Sequence, residues 1–258
     1  MVWHEGSTGE DIFSQDPYQV RFEWGPDGAE RAADRGDMVV IVDTLSFSST
    51  VATAVMNGAI IYPLPPGQKA EDAAAKYSAE IAVRRREVPH KGRFSLSPKT
   101  MEQATAGQKI ILPSPNGANC TGRASKAPVL VAASLVNSRA TGVWIRGQLS
   151  DRGIAVTVIA AGERWPESGL GTRFAIEDYL GAGAIIAEIN GDNSPEAEIC
   201  RNAFTASQKN IAEIIFDCVS GRELRQMGFG GDVNYCAQKD IISVVPLLIN
   251  NGYQTAEI

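Results

Sequence analysis

The sequence contains few of the residues that bind zinc or carry out thiol chemistry. Among its 258 residues it has two histidines, His4 and His90, and four cysteines, none of which forms a Cys-x-x-Cys pair. Zinc sites depend on several His or Cys ligands, and dithiol redox centres depend on closely spaced cysteines. The sequence therefore excludes both kinds of site, and we expect the cysteines to be buried free thiols.

Long apolar stretches are also missing. A membrane-spanning helix needs about 18 consecutive apolar residues, whereas the longest apolar stretch here, residues 241–249, is interrupted by Ser243 and Pro246. The first eleven residues are polar and lack the apolar segment of a signal peptide. We therefore expect a cytoplasmic protein that has no membrane partner.

Positive charge is scarce as well. The chain has 24 Lys and Arg residues against 30 Asp and Glu, a formal net charge of −6, and a pI near 5.1. Its one basic run, Arg84, Arg85 and Arg86, is interpreted as a solvated edge. An acidic chain binds nucleic acid poorly unless its basic residues cluster, so no nucleic-acid partner is expected.

Apolar runs and amphipathic segments alternate along the chain. The predicted strands lie at about residues 18–24, 38–42, 59–64, 109–112, 129–132, 155–159 and 241–245. A turn is predicted at 25–28, and the predicted helices lie at about 49–57, 70–82, 138–149, 175–189 and 195–216. Continuous β-branched runs are typical of strands that are buried on both faces of a parallel sheet. The alternation predicts an α/β fold with a mostly parallel or mixed sheet.

A weak internal repeat favours a duplicated architecture. Gly58-Ala-Ile-Ile61 and Gly183-Ala-Ile-Ile186 each follow a strand, a loop and a helix. A chain of this length suits one large α/β domain or two closely packed lobes. We expect a single unit over residues 1–258, either undivided or made of two intertwined α/β/α lobes at about 38–150 and 151–258.

Polar residues follow four of the predicted buried strands. After the strand at 38–42 come Asp43, Ser48, Ser49 and Thr50, and after the strand at 109–112 come Asn116 and Gly117. After the strand at 129–132 come Ser134 and Asn137, and after the strand at 155–159 come Glu163, Arg173, Glu177 and Asp178. Ligands of open parallel sheets bind beyond the carboxyl ends of the strands. Hydroxyl and N–H groups at helix N-termini bind phosphate, and carboxylates bind Mg²⁺. Metal-assisted hydrolysis of a phosphate ester is therefore the simplest predicted chemistry.

Each of these groups also has a purely structural explanation. Asp43 and the hydroxyls of residues 48–50 can cap the helix that follows them, and Asp232 can cap a later helix. Glu177 and Asp178 lie in the first turn of a helix, where carboxylates interact favourably with the macrodipole. Neighbours on a helix point about 100° apart, so the sequence leaves open which of these two faces a ligand.

Several motifs resemble those of the 2-phosphosulfolactate phosphatase (ComB-like) family. The segment Asp43-Thr-Leu-Ser-Phe-Ser-Ser-Thr50 is similar to the family's Asp-Val-Leu-Arg-Ala-Thr-Thr-Thr. Pro115-Asn-Gly-Ala118 resembles its Asn-Gly-Thr motif, and Ala133-Ser-Leu-Val-Asn-Ser138 resembles its Gly-Ser-Phe-Leu-Asn-Ala segment. Thr172-Arg-Phe-Ala-Ile-Glu-Asp178 is similar to its Gly-Arg-Phe-Ser-Leu-Glu-Asp stretch. The resemblance extends from about Val39 to Pro246.

The resemblance implies a Mg²⁺-dependent phosphatase that acts on the phosphate ester of a small hydroxy acid, a reaction that serves coenzyme M synthesis in that family. The residues expected to be catalytic and to bind the metal are Asp43, Glu177 and Asp178. Those expected to bind the substrate phosphate are Ser48, Ser49, Thr50, Asn116, Gly117, Ser134, Asn137 and Arg173. A non-catalytic anion-binding protein and a phosphotransferase are the alternatives, and a homodimer is one of the oligomeric states left open.

Two positions depart from the family's pattern. Ser46 stands where the family has Arg, and Ala118 stands where it often has Thr. A charged hydrogen bond is worth roughly 1.5–3 kcal/mol, so losing an anion-binding Arg weakens binding of a doubly anionic substrate about 10- to 100-fold. The sequence therefore predicts that 2-phosphosulfolactate is not the preferred substrate, unless Arg164 or Arg173 compensates.

Overall fold

The computed structural model describes residues 12–165 and 171–255. The strands are β1 (Val20–Trp24), β2 (Met38–Val42), β3 (Ile60–Leu64), β4 (Glu80–Ile81), β5 (Lys109–Pro113), β6 (Leu130–Ala133), β7 (Val156–Ala160), β8 (Glu163–Arg164), β9 (Thr172–Arg173), β10 (Pro246–Ile249) and β11 (Gly252–Thr255). The helices are α1 (Gly25–Asp34), α2 (Phe47–Met56), α3 (Ala70–Tyr77), α4 (Pro98–Met101), α5 (Gly117–Arg123), α6 (Ser138–Arg152), α7 (Ile176–Ile189), α8 (Pro195–Ser207), α9 (Ile211–Asp217), α10 (Val219–Gln226) and α11 (Gly230–Cys236).

One sheet of nine described strands forms the centre of the molecule, in the order β1-β7-β2-β6-β10-β11-β3-β5-β4. The first four of these strands are parallel neighbours, and so are the last three. The β10–β11 hairpin pairs antiparallel with both sets. The pairings of β6 with β10, β10 with β11 and β11 with β3 each reverse the strand direction. Because there are three reversals, the two parallel sets run in opposite directions.

The two sequence ranges proposed as lobes contribute to the same sheet. β7, from the second range, lies between β1 and β2, and β10 pairs with β6 from the first range. The two ranges are therefore interleaved within one sheet.

Strand β2 lies at the centre of the core because both of its faces are buried. Val39 and Ile41 share an apolar cluster with residues of α1, α2 and α5. Met38, Val40 and Val42 share another with residues of α6, α7 and α8. Successive side chains of a strand point to opposite faces, so the sheet has a helical layer on each side. This arrangement confirms the predicted layered α/β class with a mostly parallel sheet.

Several local predictions were wrong. The helix predicted at 70–82 ends at Tyr77, and residues 80–81 form β4. Asp232 lies in the first turn of α11 and does not cap it. Residues 25–28 begin α1 rather than forming a turn, because Pro26 is compatible with the first helical turn. The long helix predicted at 195–216 is broken by a 3₁₀ turn at Gln208–Asn210. The last predicted strand, 241–245, is displaced to β10 and β11, whose turn residues Asn250 and Asn251 have positive φ, as two-residue hairpin loops require.

The helices within residues 12–165 and 171–255 include none that combines the length and the apolar character of a membrane span.

Candidate active site

A small pocket of about 160 Å³ lies at the carboxyl end of β2. Its polar wall includes Asp43, Ser46, Arg85, Asn116, Glu163 and Ser220. These side chains come from the loops after β2, β5 and β7, from the segment that follows β4, and from the first turn of α10. Several distant parts of the chain therefore converge on one cavity.

The Asp43 carboxylate bridges the N-termini of two helices. Its Oδ1 accepts the N–H of Phe47, the first residue of α2, at 3.0 Å. Its Oδ2 accepts the N–H of Gly117, the first residue of α5, at 2.9 Å. Asp43 thus has the capping role given as its structural alternative, and it also lines the pocket. Each carboxylate oxygen has further acceptor capacity, so capping leaves it able to bind a ligand.

Burial raises the pKa of three carboxyl groups in and around the pocket. Removal from water raises the pKa of Asp43 to about 6, although the Phe47 and Gly117 N–H groups oppose the shift. The pKa of Glu163 rises to about 7, first through burial and then through the negative charge of Asp43. Burial also raises the pKa of Asp178, followed by the charges of Asp43 and Glu177. Carboxyl groups that titrate near neutral pH can accept and release protons under working conditions.

These shifts predict that the metal-free protein loses stability as the pH rises from about 5 to about 8. Folded-state pKa values of about 6 for Asp43 and about 7 for Glu163 exceed the ordinary values of 3.8 and 4.5. The folded state therefore binds more protons than the unfolded state. The resulting stabilisation is complete below the unfolded pKa and is lost as the pH rises through the folded pKa.

Thermal unfolding in the presence of a chelator measures this effect. The window above about pH 5 avoids the acid range in which carboxylates of lowered pKa, such as Asp16 and Glu198, titrate. Glu163→Gln cannot ionise, so its Tm should differ less between the two pH values than that of the wild type. An equal difference in both proteins would contradict the assignment to Glu163.

Asp178 joins the loops that follow β2 and β7. Its Oδ1 accepts the Thr44 N–H at 2.7 Å, and its Oδ2 accepts the Gly162 N–H at 2.9 Å. Glu177 is also buried, and its backbone carbonyl accepts the Thr44 hydroxyl at 3.0 Å. The three predicted carboxylates therefore interact electrostatically, and of the three it is Asp43 that lines this pocket.

The predicted phosphate-binding hydroxyls of α2 lie in the protein interior. Ser48 Oγ donates to the Ile41 carbonyl at 2.8 Å and accepts the Asp43 N–H at 3.0 Å. Ser49 Oγ donates to the Thr44 carbonyl at 2.9 Å. The Thr50 hydroxyl is buried without a hydrogen-bond partner among the described residues. Because these groups support the turn from strand to helix, the structure does not bring them to the pocket wall.

Three further predicted residues also lie away from the pocket wall. The Asn137 side chain accepts the Ser134 N–H at 2.9 Å and donates to the Val244 carbonyl at 3.2 Å, which closes a local turn. Arg173 lies in β9, where its Nη1 donates to the Phe174 carbonyl at 3.1 Å. The predicted single cleft therefore includes Asp43 and Asn116, with Gly117 bonded to Asp43, but does not include Ser134, Asn137 or Arg173.

Glu163 and Arg85, which line the pocket, were missing from the predicted site. Glu163 lies just beyond β7 and lines the same pocket as Asn116, so the strand-end rule that selected Asp43 also points to it. Arg85 belongs to the basic run that was interpreted as a solvated edge. That interpretation was wrong for Arg85, whose side chain is 16 % exposed and lines the pocket.

Comparison with known proteins shows the family of this chain. A model of the family described as 2-phosphosulpholactate phosphatase matches residues 26–251. This chain belongs to that family. The match confirms the resemblance found in the motifs and the predicted class of enzyme, the phosphoric monoester hydrolases.

Relatives in the 2-phosphosulpholactate phosphatase family align over most of the chain. A protein of Gloeobacter violaceus is 31 % identical over 216 residues, which cover 81 % of this chain and 87 % of the relative. A protein of Carboxydothermus hydrogenoformans is 30 % identical over 225 residues, covering 86 % and 89 %. One of Pseudothermotoga lettingae is 29 % identical over 218 residues, covering 83 % and 90 %. Each is named a probable 2-phosphosulfolactate phosphatase.

This member of the 2-phosphosulpholactate phosphatase family carries a guanidinium next to position 46 despite its serine. Arg85 Nη2 donates to Ser46 Oγ at 2.9 Å. Neither Arg164 nor Arg173 is among the residues that line the pocket. A guanidinium from a different segment therefore lies beside the position where this sequence lacks the family's Arg. That 2-phosphosulfolactate is not the preferred substrate stays a prediction.

Proposed function

We propose that the chain is a Mg²⁺-dependent phosphatase that hydrolyses the phosphate monoester of a small hydroxy acid at the pocket containing Asp43. The observation that carries this proposal is the juxtaposition of Asp43 and Glu163 with Arg85 around a cavity of about 160 Å³. Carboxylates alone repel a phosphate, whereas carboxylates that hold a cation beside a guanidinium attract one. Membership of the 2-phosphosulpholactate phosphatase family supports 2-phosphosulfolactate as the first substrate to test.

The oxygen donors of this pocket fit a magnesium ion. Magnesium usually binds one or two protein carboxylates and completes its octahedron with water and substrate phosphate. Asp43 would supply a carboxylate at the pocket wall, and Glu177 and Asp178 stay predicted ligands whose charges add to the attraction. Residues 12–165 and 171–255 contain no ready-made group of three His, Cys, Asp or Glu ligands, so substrate and water would complete the site. When bound, the ion would offset phosphoryl charge and lower the pKa of a bound water.

The side chains of the pocket then have distinct tasks. Asp43 is fixed by two backbone N–H groups, which suits an ion with strict geometric demands. Glu163, whose pKa is raised by burial, would take the proton of the attacking water. Arg85 contributes the positive charge that orients the anionic substrate.

We expect inorganic phosphate to be released from 2-phosphosulfolactate, or from a related phosphorylated hydroxy acid, when Mg²⁺ is present. Removal of the ion by a chelator should lower the rate by about two to three orders of magnitude, because metal stabilisation of developing charge is worth several kcal/mol. A colorimetric phosphate assay over a panel of phosphorylated acids measures both effects. Restoring Mg²⁺ should restore the rate.

The same assay separates the alternatives. Phosphate transfer to an added alcohol in place of phosphate release would identify a phosphotransferase. Binding of the panel without any release would identify an anion-binding protein and would overturn the hydrolase proposal.

A further inference from the structure

The Arg85 guanidinium is held in one orientation by two neighbours. Its Nε donates to Asp232 Oδ2 at 2.9 Å, and its Nη2 donates to Ser46 Oγ at 2.9 Å. Asp232 is itself fixed, because the Ser97 hydroxyl donates to its other oxygen at 2.6 Å. The Asp232 side chain is 5 % exposed. A buried carboxylate therefore positions a guanidinium at the wall of the pocket.

This arrangement leaves Arg85 able to bind an anion. Its hydrogen bonds to described residues use Nε and Nη2 and leave Nη1 available. Its charge reaches the interior of the pocket, where it acts on Asp43. Among the described residues that line the pocket, Arg85 is the single cation. An acid group in the pocket therefore has one cationic protein partner, although the exposed carboxylate of Glu223 also lines the wall.

The pocket has room for a substrate that extends past the phosphate. A cavity of about 720 Å³ shares Arg85, Leu96 and Met227 with the smaller pocket, so Arg85 borders both spaces. Val83 and Phe229 add apolar wall on the far side, where the exposed Arg84 and Arg86 and the half-buried Glu87 also line the larger cavity. On the near side the Ser220 hydroxyl is buried and has no hydrogen-bond partner within the described parts of the chain. The neighbourhood of Arg85 thus offers unused donors and free volume.

We propose that Arg85 binds a second anionic group of the substrate, a carboxylate or sulfonate beside the carbon that bears the phosphate ester, and so selects phosphorylated acids over simple phosphate esters. This inference rests on the proposed phosphatase function. It assigns substrate choice to a residue outside the motif at positions 43–50, with Asp232 and Ser46 as the residues that position it.

Three ligands of matched size test the proposal. Isopropyl phosphate has no second anionic group, 2-phospholactate replaces one of its methyl groups with a carboxylate, and 2-(phosphonooxy)ethanesulfonate carries a sulfonate instead. In the wild type, kcat/KM should be highest for one or both of the acids. Arg85→Gln should lower that value about 10- to 100-fold more than it lowers the value for isopropyl phosphate, as expected for the loss of a charged hydrogen bond to the second anionic group.

Two further variants separate recognition from folding. Arg85→Gln leaves Asp232 buried without its partner, so the double variant Arg85→Gln/Asp232→Asn should recover Tm without recovering preference for acids. Arg93→Gln is the matched control, since Arg93 is exposed, pairs with Glu80 and does not line either cavity. Its preference should equal that of the wild type.

Binding keeps the inference testable if no ligand is hydrolysed. In that case the absence of phosphate release shows that the phosphatase proposal has failed. Because no ligand is consumed, calorimetry can then measure the binding of each ligand in the same Mg²⁺ solution. Selective loss of acid binding in Arg85→Gln would support the inference. An equal loss for all three ligands, no loss, or no binding of any of them would overturn it.

Discussion

Asp43→Asn is expected to lower kcat by about two to three orders of magnitude, because it removes the negative charge that holds the cation while keeping the size of the side chain. Asp43 combines two properties in the described structure: it lines the pocket, and its carboxylate is fixed at both oxygens. The KM for the substrate should change less than the Mg²⁺ concentration needed for half-maximal rate. Phosphate release over a Mg²⁺ titration measures both quantities.

The same substitution should also reduce stability. The amide of asparagine has one oxygen, so either the Phe47 or the Gly117 N–H would face an NH₂ group, and an unsatisfied buried donor costs roughly 1–3 kcal/mol. Relief from burying a carboxylate of raised pKa offsets part of that loss. The folded fraction must therefore be measured with kcat.

Asp37→Asn is the matched control for this loss of stability. Asp37 lies just before β2, at the opposite end of the strand from Asp43, and is buried against Arg21, Arg35 and Thr157. It should lose stability while keeping kcat within a few-fold of the wild type. If Asp43→Asn keeps near-native kcat at the normal Mg²⁺ concentration, Asp43 is a helix cap alone and the metal site lies at Glu177 and Asp178.

Gly117→Ala is expected to lower both stability and rate, because it disturbs the contact between α2 and α5 that holds Asp43. A Cβ at this position would lie 2.2 Å from Cδ1 of Phe47, a fully buried ring that cannot move aside. Overpacking of a buried position costs typically about 1–3 kcal/mol, occasionally more. Both residues donate N–H groups to Asp43, so relief of the clash displaces its carboxylate. A displacement of about 1 Å can lower a rate about 100-fold.

Gly147→Ala provides a control in which the same type of substitution should increase stability. Gly147 is exposed within α6, and an added Cβ would meet no atom within 4 Å. Replacing glycine by alanine in an exposed helix interior should stabilise the protein by about 1 kcal/mol. Denaturant unfolding and kcat/KM of the two variants give the comparison. A Gly117→Ala protein with wild-type stability and rate would show that the contact between α2 and α5 does not position Asp43.

The fold was largely predictable because its central strands are apolar and continuous. Residues 38–42 and 155–159 were recognised from β-branched runs that have no polar interruption, as expected for strands buried on both faces. The C-terminal hairpin was not recognised, since its strands are half-buried and its pattern is weak. Its Asn250-Asn251 turn was the signal that a search for two-residue hairpin loops would have found.

The site was predictable only in part, for reasons that differ between residues. Asp43 follows from its place after a buried strand, and Glu163 could have been chosen by the same rule. Asn116 was chosen on the assumption that its strand is parallel to β2, yet β5 runs in the opposite direction. What joins Asn116 to the site is the contact between α5 and Asp43. Arg85 could not be predicted, since tertiary contacts alone bring its segment to Ser46.

The position of the β10–β11 hairpin has a consequence for the order in which the chain can assemble. In the sheet the hairpin lies between β6 and β3, although it follows every other strand of that sheet along the chain. During synthesis on the ribosome, the two parallel sets would thus be made before the strands that connect them. Until residues 246–255 emerge, β6 and β3 each present an open edge, and open edges readily pair with other chains. The nascent protein therefore depends on the β10–β11 hairpin to pair with two aggregation-prone strand edges at once.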